Sequence, residues 1–343
     1  MRALVLHGPR TAFELVERPV PSPGLAEALV RVRACGAGLT IHHAKAGRAR
    51  ARWPIVIGHE IAGEVVDVGA HVTDFRAGDR VTPHYYLSCG DCRWCRNGRE
   101  PLCIRPGGNI GRDIDGGYAE YCVLPARNLV RIPRALPYDE RSQEVAIICD
   151  AIVTPVKVAR KARIAPLETV VVIGAGGGVG IHMVQLAKLH GARVIAVDLS
   201  QDKLELASQV GADQVLNARE VPLGEGLRDL AGPGEVDVVV DFVVSPETVE
   251  GGLSALGRGG RLVVLGGQGQ PPPTVDLGRI RSREIELLGS RYVSKQEIAD
   301  ALDLVAAGLV KPIVTLTAPL EEAEAVHAAL EAGTILGRAA LVI

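Results

Sequence analysis

The stretch from Val170 to Gly180, VVVIGAGGGVG, decides the fold of this chain of 343 residues. It opens with an unbroken apolar run, which is typical of a parallel strand buried on both faces. Residues 181–190 then predict a helix that Gly191 ends. The glycine run between them allows a tight turn, and the start of the helix points unpaired N–H groups at negative charge bound there. The stretch therefore predicts a phosphate-binding turn at the start of a nucleotide-binding fold.

An acidic residue after the next predicted strand supports this interpretation. The strand covers residues 193–197, and Asp198 follows Gly180 by 18 residues. A carboxylate at this point accepts hydrogen bonds from the adenosine ribose and repels a 2′-phosphate, so the pattern favours NAD over NADP. The alternative is a glycine-rich turn that binds nothing. The residues predicted to contact the cofactor are Gly174, Gly176, Gly177, Gly178, Val179, Gly180, Asp198 and Lys203.

The two parts of the chain differ in the order of their predicted strands and helices. From residue 151 onward, further strands with helical stretches between several of them predict a doubly wound parallel sheet. These strands are 213–216, 236–241, 261–265 and 285–288, followed by helices 295–307 and 320–331 and a last strand 339–342. In the first 150 residues, short apolar runs alternate with Gly and Pro turns, which predicts antiparallel sheets or a small barrel. These runs are 28–32, 61–68, 80–82, 119–123 and 129–132. The fold class is therefore α/β, and the length favours two domains.

A cluster of cysteines predicts a metal site. Cys89, Cys92, Cys95 and Cys103 have the spacing C-x2-C-x2-C-x7-C. Four thiolates in a short loop suit tetrahedral zinc, and such a closed site leaves no open position for chemistry. We expect a structural zinc that holds the loop together. The alternative, four free cysteines, does not account for the spacing.

Composition and charge exclude several classes of function. The formal net charge is −2, which provides no field that would attract nucleic acid or an anionic membrane. No apolar run reaches the roughly 18 residues that span a bilayer, and the first residues predict a strand rather than a signal peptide. We therefore expect a cytoplasmic protein that acts on small molecules. In the cytoplasm the seven cysteines are not expected to form a disulfide scaffold.

Several short motifs together resemble one known family. They are GHEIAG at residues 58–63, GDRV at 78–81, the cysteine cluster, GGYAEY at 116–121, the glycine turn and GRA at 337–339. This combination is similar to the medium-chain, zinc-containing alcohol dehydrogenases. The resemblance implies a GroES-like catalytic domain formed by residues 1–150 and 290–343, with a zinc lobe at about 85–105, and a Rossmann domain formed by residues 151–289. It also implies a homodimer or homotetramer, which the exposed edge strand at 285–288 favours.

The resemblance assigns further residues to the active site. Thr154, Leu265, Gly266 and Arg338 would contact the cofactor, with Thr154 at the nicotinamide. Thr40 and His43 match the family's proton relay. His59 and Asp150 match ligands of a catalytic zinc, with Glu60 beside them and Cys149 left out. His42 we expect on the surface.

Two positions depart from the family pattern. Gly38 stands where a cysteine ligand of the catalytic zinc is usual, and Ile41 replaces the usual Asp. Two interpretations stay open. Either His59, Glu60 and Asp150 form a weaker N/O metal site, or the pocket holds no metal and Thr40 alone hydrogen-bonds the substrate oxygen.

Three functions are compatible with these patterns. The first is NAD-dependent interconversion of a secondary alcohol and its ketone; residues 149–155 resemble the branch that acts on cyclic hydroxyacyl-CoA thioesters. The second is reduction of an activated C=C bond, which needs no catalytic zinc. The third is a non-catalytic, cofactor-binding protein on the same fold.

Overall fold

The computed structural model describes residues 1–232, 235–267 and 270–343. The strands are β1 (Arg2–Val5), β2 (Glu14–Glu17), β3 (Glu27–Ala37), β4 (Glu60–Val68), β5 (Arg80–Pro83), β6 (Tyr121–Pro125), β7 (Leu129–Arg131), β8 (Thr169–Ile173), β9 (Arg193–Asp198), β10 (Gln214–Asn217), β11 (Val236–Asp241), β12 (Leu256–Val264), β13 (Glu286–Gly289), β14 (Val314–Pro319) and β15 (Arg338–Val342). The helices are α1 (Leu39–Lys45), α2 (Arg93–Arg96), α3 (Ser142–Ala146), α4 (Val153–Ala162), α5 (Gly180–Leu189), α6 (Gln201–Gln209), α7 (Leu223–Ala231), α8 (Pro246–Ala255), α9 (Leu277–Arg283), α10 (Lys295–Ala306) and α11 (Ala323–Ala332). Across these described ranges, no helix is long and apolar enough to cross a membrane.

The chain folds into two compact units. Unit 1 combines Met1–Val153 with Val293–Ile343, and unit 2 is Thr154–Tyr292. Unit 2 contains a parallel sheet in the order β10-β9-β8-β11-β12-β13. Its inner strands β8 and β11 are buried on both faces, which explains their apolar runs at residues 170–173 and 238–240. The predicted doubly wound α/β fold is confirmed for this part of the chain.

Unit 1 is built around a sheet in the order β14-β15-β3-β4-β5-β7, with β6 also paired to β3. Strand β3 pairs antiparallel with β15 on one side and with β4 on the other. The register places Gly36 opposite Glu60 and Ala37 opposite Ala339. The residues just beyond these pairs, Gly38 and Arg338, are consequently neighbours in space.

Some elements of unit 1 differ from the predictions. Strand β3 is longer than predicted because register shifts let it bend while it continues to pair. The sequence pattern missed α1, which has seven residues and begins at Gly38 without a side-chain cap. Ile55 makes an isolated bridge to Leu6.

The prediction that His42 lies on the surface is wrong. His42 is buried on α1 and packs against α11. Its Nε2–H donates to the carboxylate of Glu331, so its Nδ1 accepts from His327 Nδ1 at 3.2 Å. The remaining nitrogen of His327 accepts from the Tyr118 hydroxyl at 3.0 Å. A chain of hydrogen bonds inside the protein therefore provides partners for the imidazole rings of His42 and His327. Nothing in the local sequence indicated it.

The hydrogen bonds through His42, His327 and Tyr118 generate a prediction for the stability of the fold at acidic pH. Burial lowers the pKa of His327 to about 3, so its ring stays neutral in the folded state. The unfolded state gains a proton below about pH 6.5, and folding stability then falls by roughly 1.4 kcal/mol per pH unit. Replacement His327→Gln removes this contribution. Between pH 7 and pH 5 we expect the free energy of unfolding to fall about 2 kcal/mol less in this variant than in the native protein.

The measurement is denaturant unfolding followed by tryptophan fluorescence. Both tryptophans, Trp53 and Trp94, lie in unit 1 and report on it alone. His71→Gln, at an exposed histidine, is the matched control and should keep the native pH dependence. Parallel pH curves for the native protein and His327→Gln would contradict the assignment.

Candidate active site

The cysteine cluster has the geometry of a tetrahedral metal site. The sulfur atoms of Cys89, Cys92, Cys95 and Cys103 all lie within 4.8 Å of one another. Cys92 and Cys95 are 3.4 Å apart, and Cys89 and Cys95 are 3.9 Å apart. Zinc–sulfur bonds of about 2.3 Å in a tetrahedron require sulfur–sulfur distances near 3.8 Å. These four residues therefore fit a structural zinc.

The glycine turn of unit 2 lies at the carboxyl edge of the parallel sheet. Its backbone N–H at Gly176 donates to Asp198 Oδ2 at 3.0 Å, so the turn and the predicted ribose ligand are in contact. Any Cβ at Gly176 would collide with the Lys203 side chain, and any Cβ at Gly180 would collide with the Gly174 carbonyl oxygen. These contacts are why glycine is needed here: helix α5 starts directly against the strand that feeds it.

The other predicted cofactor residues of unit 2 lie near this edge or at the start of α4. Leu265 and Gly266 follow β12, and the Leu265 N–H donates to the backbone oxygen of Asp241 at 3.0 Å. The sheet order reverses between β8 and β11, and such a switch point is where open α/β sheets bind ligands. Thr154 is buried near the start of α4.

Sequence reasoning missed Asp241 at the end of β11. This residue is fully buried, and its Oδ1 accepts from the N–H groups of Val243 and Val244 at 2.8 and 2.9 Å. Burial raises the pKa of this carboxyl. The detectable signal was an acid at the end of a predicted buried strand beside the glycine turn.

In unit 1, His59 and Asp150 form a close pair. His59 Nε2 lies 3.1 Å from Asp150 Oδ2, and the Tyr85 ring packs on the imidazole with centroids 4.1 Å apart. Burial raises the pKa of the Tyr85 hydroxyl well above its usual range. Cys149 turns its thiol towards the backbone oxygens of Ala146 and His59. The structure thus brings together the histidine and the aspartate that the resemblance selected.

Glu60 is engaged by a different partner. Its carboxylate accepts from Arg338 Nε at 3.1 Å and also contacts Arg338 Nη2. Both side chains are almost completely buried. Burial lowers the pKa of Arg338 to about 10, so the guanidinium keeps its charge at neutral pH. The guanidinium also lies 4.0 Å from Asp150. Arg338, which the resemblance assigned to the cofactor, is part of the His59–Asp150 site.

These residues do not fit a catalytic zinc. A Cβ at Gly38 would lie 2.5 Å from Cζ and 2.6 Å from Nη1 of Arg338, so the guanidinium fills the space of the missing ligand. His59, Glu60 and Asp150 each offer a ligand atom within 4.8 Å of the others. The guanidinium already binds the Glu60 carboxylate and lies 4.0 Å from Asp150, so a metal there would sit beside a fixed positive charge. Catalytic zinc sites usually supply three protein ligands.

The surroundings of His59 give an independent reason. The Nδ1 atom of His59 is buried and has no hydrogen-bond partner among the described residues. Metal-binding histidines almost always donate their second ring N–H to a carboxylate or carbonyl. The site therefore lacks the third zinc ligand at position 38. It also lacks the hydrogen bond that would orient His59 as a ligand.

The two predicted relay residues lie on α1. Thr40 and His43 are three positions apart, which places them on one face of the helix. Thr40 is partly exposed, and His43 accepts a hydrogen bond at Nδ1 from Arg48 Nε at 3.0 Å.

Comparisons with known proteins agree with this architecture. Residues 24–134 match the alcohol dehydrogenase GroES-like domain, and residues 178–307 match the zinc-binding dehydrogenase family. The chain is 35% identical to an alcohol dehydrogenase of Geobacillus stearothermophilus, over 99% of both chains. It is 33% identical to an acryloyl-coenzyme A reductase of Metallosphaera sedula, over 94% of both. A solved NAD-dependent alcohol dehydrogenase is 34% identical and superposes with a TM-score of 0.91 over 100% of both chains.

A parallel sheet with an acid-flanked glycine turn, joined to a β-rich unit with a four-cysteine lobe, defines a nicotinamide-dependent oxidoreductase. With these matches, the chain belongs to the medium-chain, zinc-containing alcohol dehydrogenase family.

The fit of the two metal positions predicts the zinc content. We expect about one zinc per chain, because the cysteine cluster completes a tetrahedron and the His59 site does not. Cys92→Ser should lose this zinc and lower the melting temperature, since structural zinc is coupled to folding. Gly38→Cys should not add a second zinc, because Arg338 fills the space.

The zinc content per chain of the native protein and of both variants, measured by elemental mass spectrometry, checks these predictions. Cys122→Ala removes a buried cysteine outside the lobe and is the control that should keep one zinc. Two zinc ions in the native protein would contradict the interpretation of the His59 site.

Proposed function

We propose that this protein catalyses NAD-dependent hydride transfer between a secondary alcohol and its ketone without a catalytic zinc. The observation that carries the proposal is the contact between the glycine turn and Asp198, which is the recognition unit for a dinucleotide without a 2′-phosphate. Alcohol dehydrogenases that match the whole chain support the substrate class.

The residues of unit 1 supply polar groups for the reacting oxygen. Bound NAD supplies or accepts the hydride. Thr40 donates a hydrogen bond to the substrate oxygen in this proposal, and the buried Arg338 cation lowers the cost of negative charge nearby. Asp150 hydrogen-bonds the Nε2 atom of His59, and the Tyr85 ring packs on the His59 imidazole.

A second candidate is reduction of a C=C bond conjugated to a thioester carbonyl. The specific observation in its favour is the same Arg338 guanidinium in the space of a zinc ligand, because this reaction needs no metal-bound alkoxide. The similarity to an acryloyl-coenzyme A reductase supports it.

We also propose a cytoplasmic location, since four of the seven cysteines form the proposed zinc site and such thiols stay reduced in the cytoplasm.

A panel of substrates tests the proposed function. We expect ketones to be reduced with NADH, and NADPH to be used poorly because Asp198 would face its 2′-phosphate. A chelator that leaves the cysteine-bound zinc in place should not change turnover. Thr40→Ala should lower turnover by about 100-fold or more, the size typical of removing one preorganised hydrogen-bond donor to the reacting oxygen.

Controls and contrary outcomes follow from the same assay. Thr73→Ala, at an exposed threonine, should leave turnover unchanged. Loss of activity on chelation, with recovery on adding zinc, would contradict a metal-free site. Turnover of an enoyl thioester but of no ketone would replace the main proposal by the second candidate.

Assembly forms a separate proposal. Strand β13 is at the edge of the parallel sheet, and Leu287 on it is 46% exposed. An unpaired edge with an apolar residue favours pairing with a second copy, so we propose a dimer or a tetramer built from dimers. Light scattering at micromolar concentration should show it, and Leu287→Lys should weaken it. A monomeric native protein would refute the proposal.

A further inference from the structure

Arg48 connects the predicted relay histidine to helix α11. Its Nε donates to His43 Nδ1 at 3.0 Å. Its two terminal nitrogens donate to the two carboxylate oxygens of Glu331 at 2.8 and 2.6 Å. The same carboxylate accepts from His42 Nε2. All of these residues belong to unit 1.

The chemistry of arginine determines the protonation of His43. A guanidinium has N–H donors and no acceptor, and it stays charged in proteins. The Nδ1 atom that faces Arg48 must therefore be the unprotonated nitrogen of a neutral ring. The ring proton is on Nε2. In this state His43 has no free nitrogen that accepts a proton.

The charges around His43 act in the same direction. Burial lowers the pKa of His43, and the positive charge of Arg48 lowers it further. The other groups that face it are His42, whose charge would also lower the pKa, and Glu331, which raises it by a smaller amount. Arg48 holds the pKa of Glu331 down to about 2, so the carboxylate stays ionised and the Arg48 contact persists over the working pH range.

We infer that Arg48 is a positioning residue that prevents His43 from carrying a proton and makes it a fixed N–H donor. This inference rests on the proposed function for its effect on turnover, but its structural part does not. His43 then hydrogen-bonds an oxygen of the bound cofactor or substrate through Nε2–H.

The inference changes where the proton of the reaction comes from. On reduction, the hydride of NADH goes to the carbonyl carbon and a proton from water goes to the oxygen, leaving NAD⁺ and hydroxide. On oxidation, the alcohol proton must go to water, because His43 cannot accept it. Because the two directions share one transition state, the lack of a histidine proton carrier slows ketone reduction and alcohol oxidation alike. The same supply of protons from water serves reduction of a C=C bond.

Imidazole ¹⁵N NMR of the full-length protein tests the structural part without any turnover. At pH 7 the His43 signals should show protonated Nε2 and unprotonated Nδ1, and the ring should titrate below pH 6.5, the ordinary value for histidine. In Arg48→Met the ring should titrate at a higher pH. Arg50→Met removes an exposed arginine from the same loop and is the matched control, which should leave the His43 signals unchanged. Protonated Nδ1 in the native protein, or ordinary titration near pH 6.5, would overturn the inference.

Two replacements of His43 test the functional part. His43→Gln keeps an N–H donor but cannot carry a proton, and His43→Ala removes both. We expect His43→Gln to retain turnover within about 3-fold, and His43→Ala to lose about 10-fold, the size of one neutral hydrogen bond. A loss of about 100-fold or more in both would identify a proton carrier and overturn the inference. Absence of NAD-linked turnover in the native protein would contradict the proposed function, and the NMR result would still decide the role of Arg48.

The pH dependence gives a readout that a purely structural role would not change. Alcohol oxidation by the native enzyme should show no ionisation near pH 6.5, because burial and Arg48 lower the pKa of His43. Arg48→Met should gain one near pH 6.5, because its imidazole is released. A profile that is the same in both proteins would contradict the inference.

Discussion

The buried ion pair between Glu60 and Arg338 is the interaction on which the unit 1 site depends. Burying one of these charges without the other costs far more than burying both. The two side chains come from β4 and β15, which flank β3 on its two sides. They meet over β3 because Gly36 and Gly38 have no side chains; a Cβ at Gly36 would collide with the Glu60 carboxylate. The pair therefore needs both glycines, and together they exclude the ligand that a catalytic zinc would use.

Two positions change the chemistry in one direction. Gly38 offers no zinc ligand, and Arg48 donates to the nitrogen of His43 that would otherwise accept a proton. Each change alone would leave a damaged alcohol dehydrogenase site. Together they describe a site in which neither a metal nor a histidine base takes up the alcohol proton, while the cofactor unit around Asp198 is complete.

The sequence was sufficient wherever the pattern is local. The glycine turn, Asp198 and the cysteine lobe each lie within about 30 residues, and their chemistry requires those residues at those spacings. The ion pair of Glu60 joins residues 278 positions apart, and no spacing rule predicts it. His42 was misplaced for the same reason: its polarity suggested solvent, but His327 and Glu331 come to it from 285 and 289 residues away. The Arg48–His43 contact is local, but the orientation of the Arg48 guanidinium depends on Glu331, which is 283 residues away.

Glu331 links these long-range contacts because one carboxylate orients two histidines of α1. It accepts from His42 Nε2, which sets the direction of the buried chain through His327 to Tyr118. It also holds the two terminal nitrogens of Arg48, which leaves Nε as the donor that faces His43. Because α1 is short and has no side-chain cap, its position depends on such tertiary contacts more than on its own helix propensity. The state of His43 is consequently set by α11, an element that carries none of the residues expected to react.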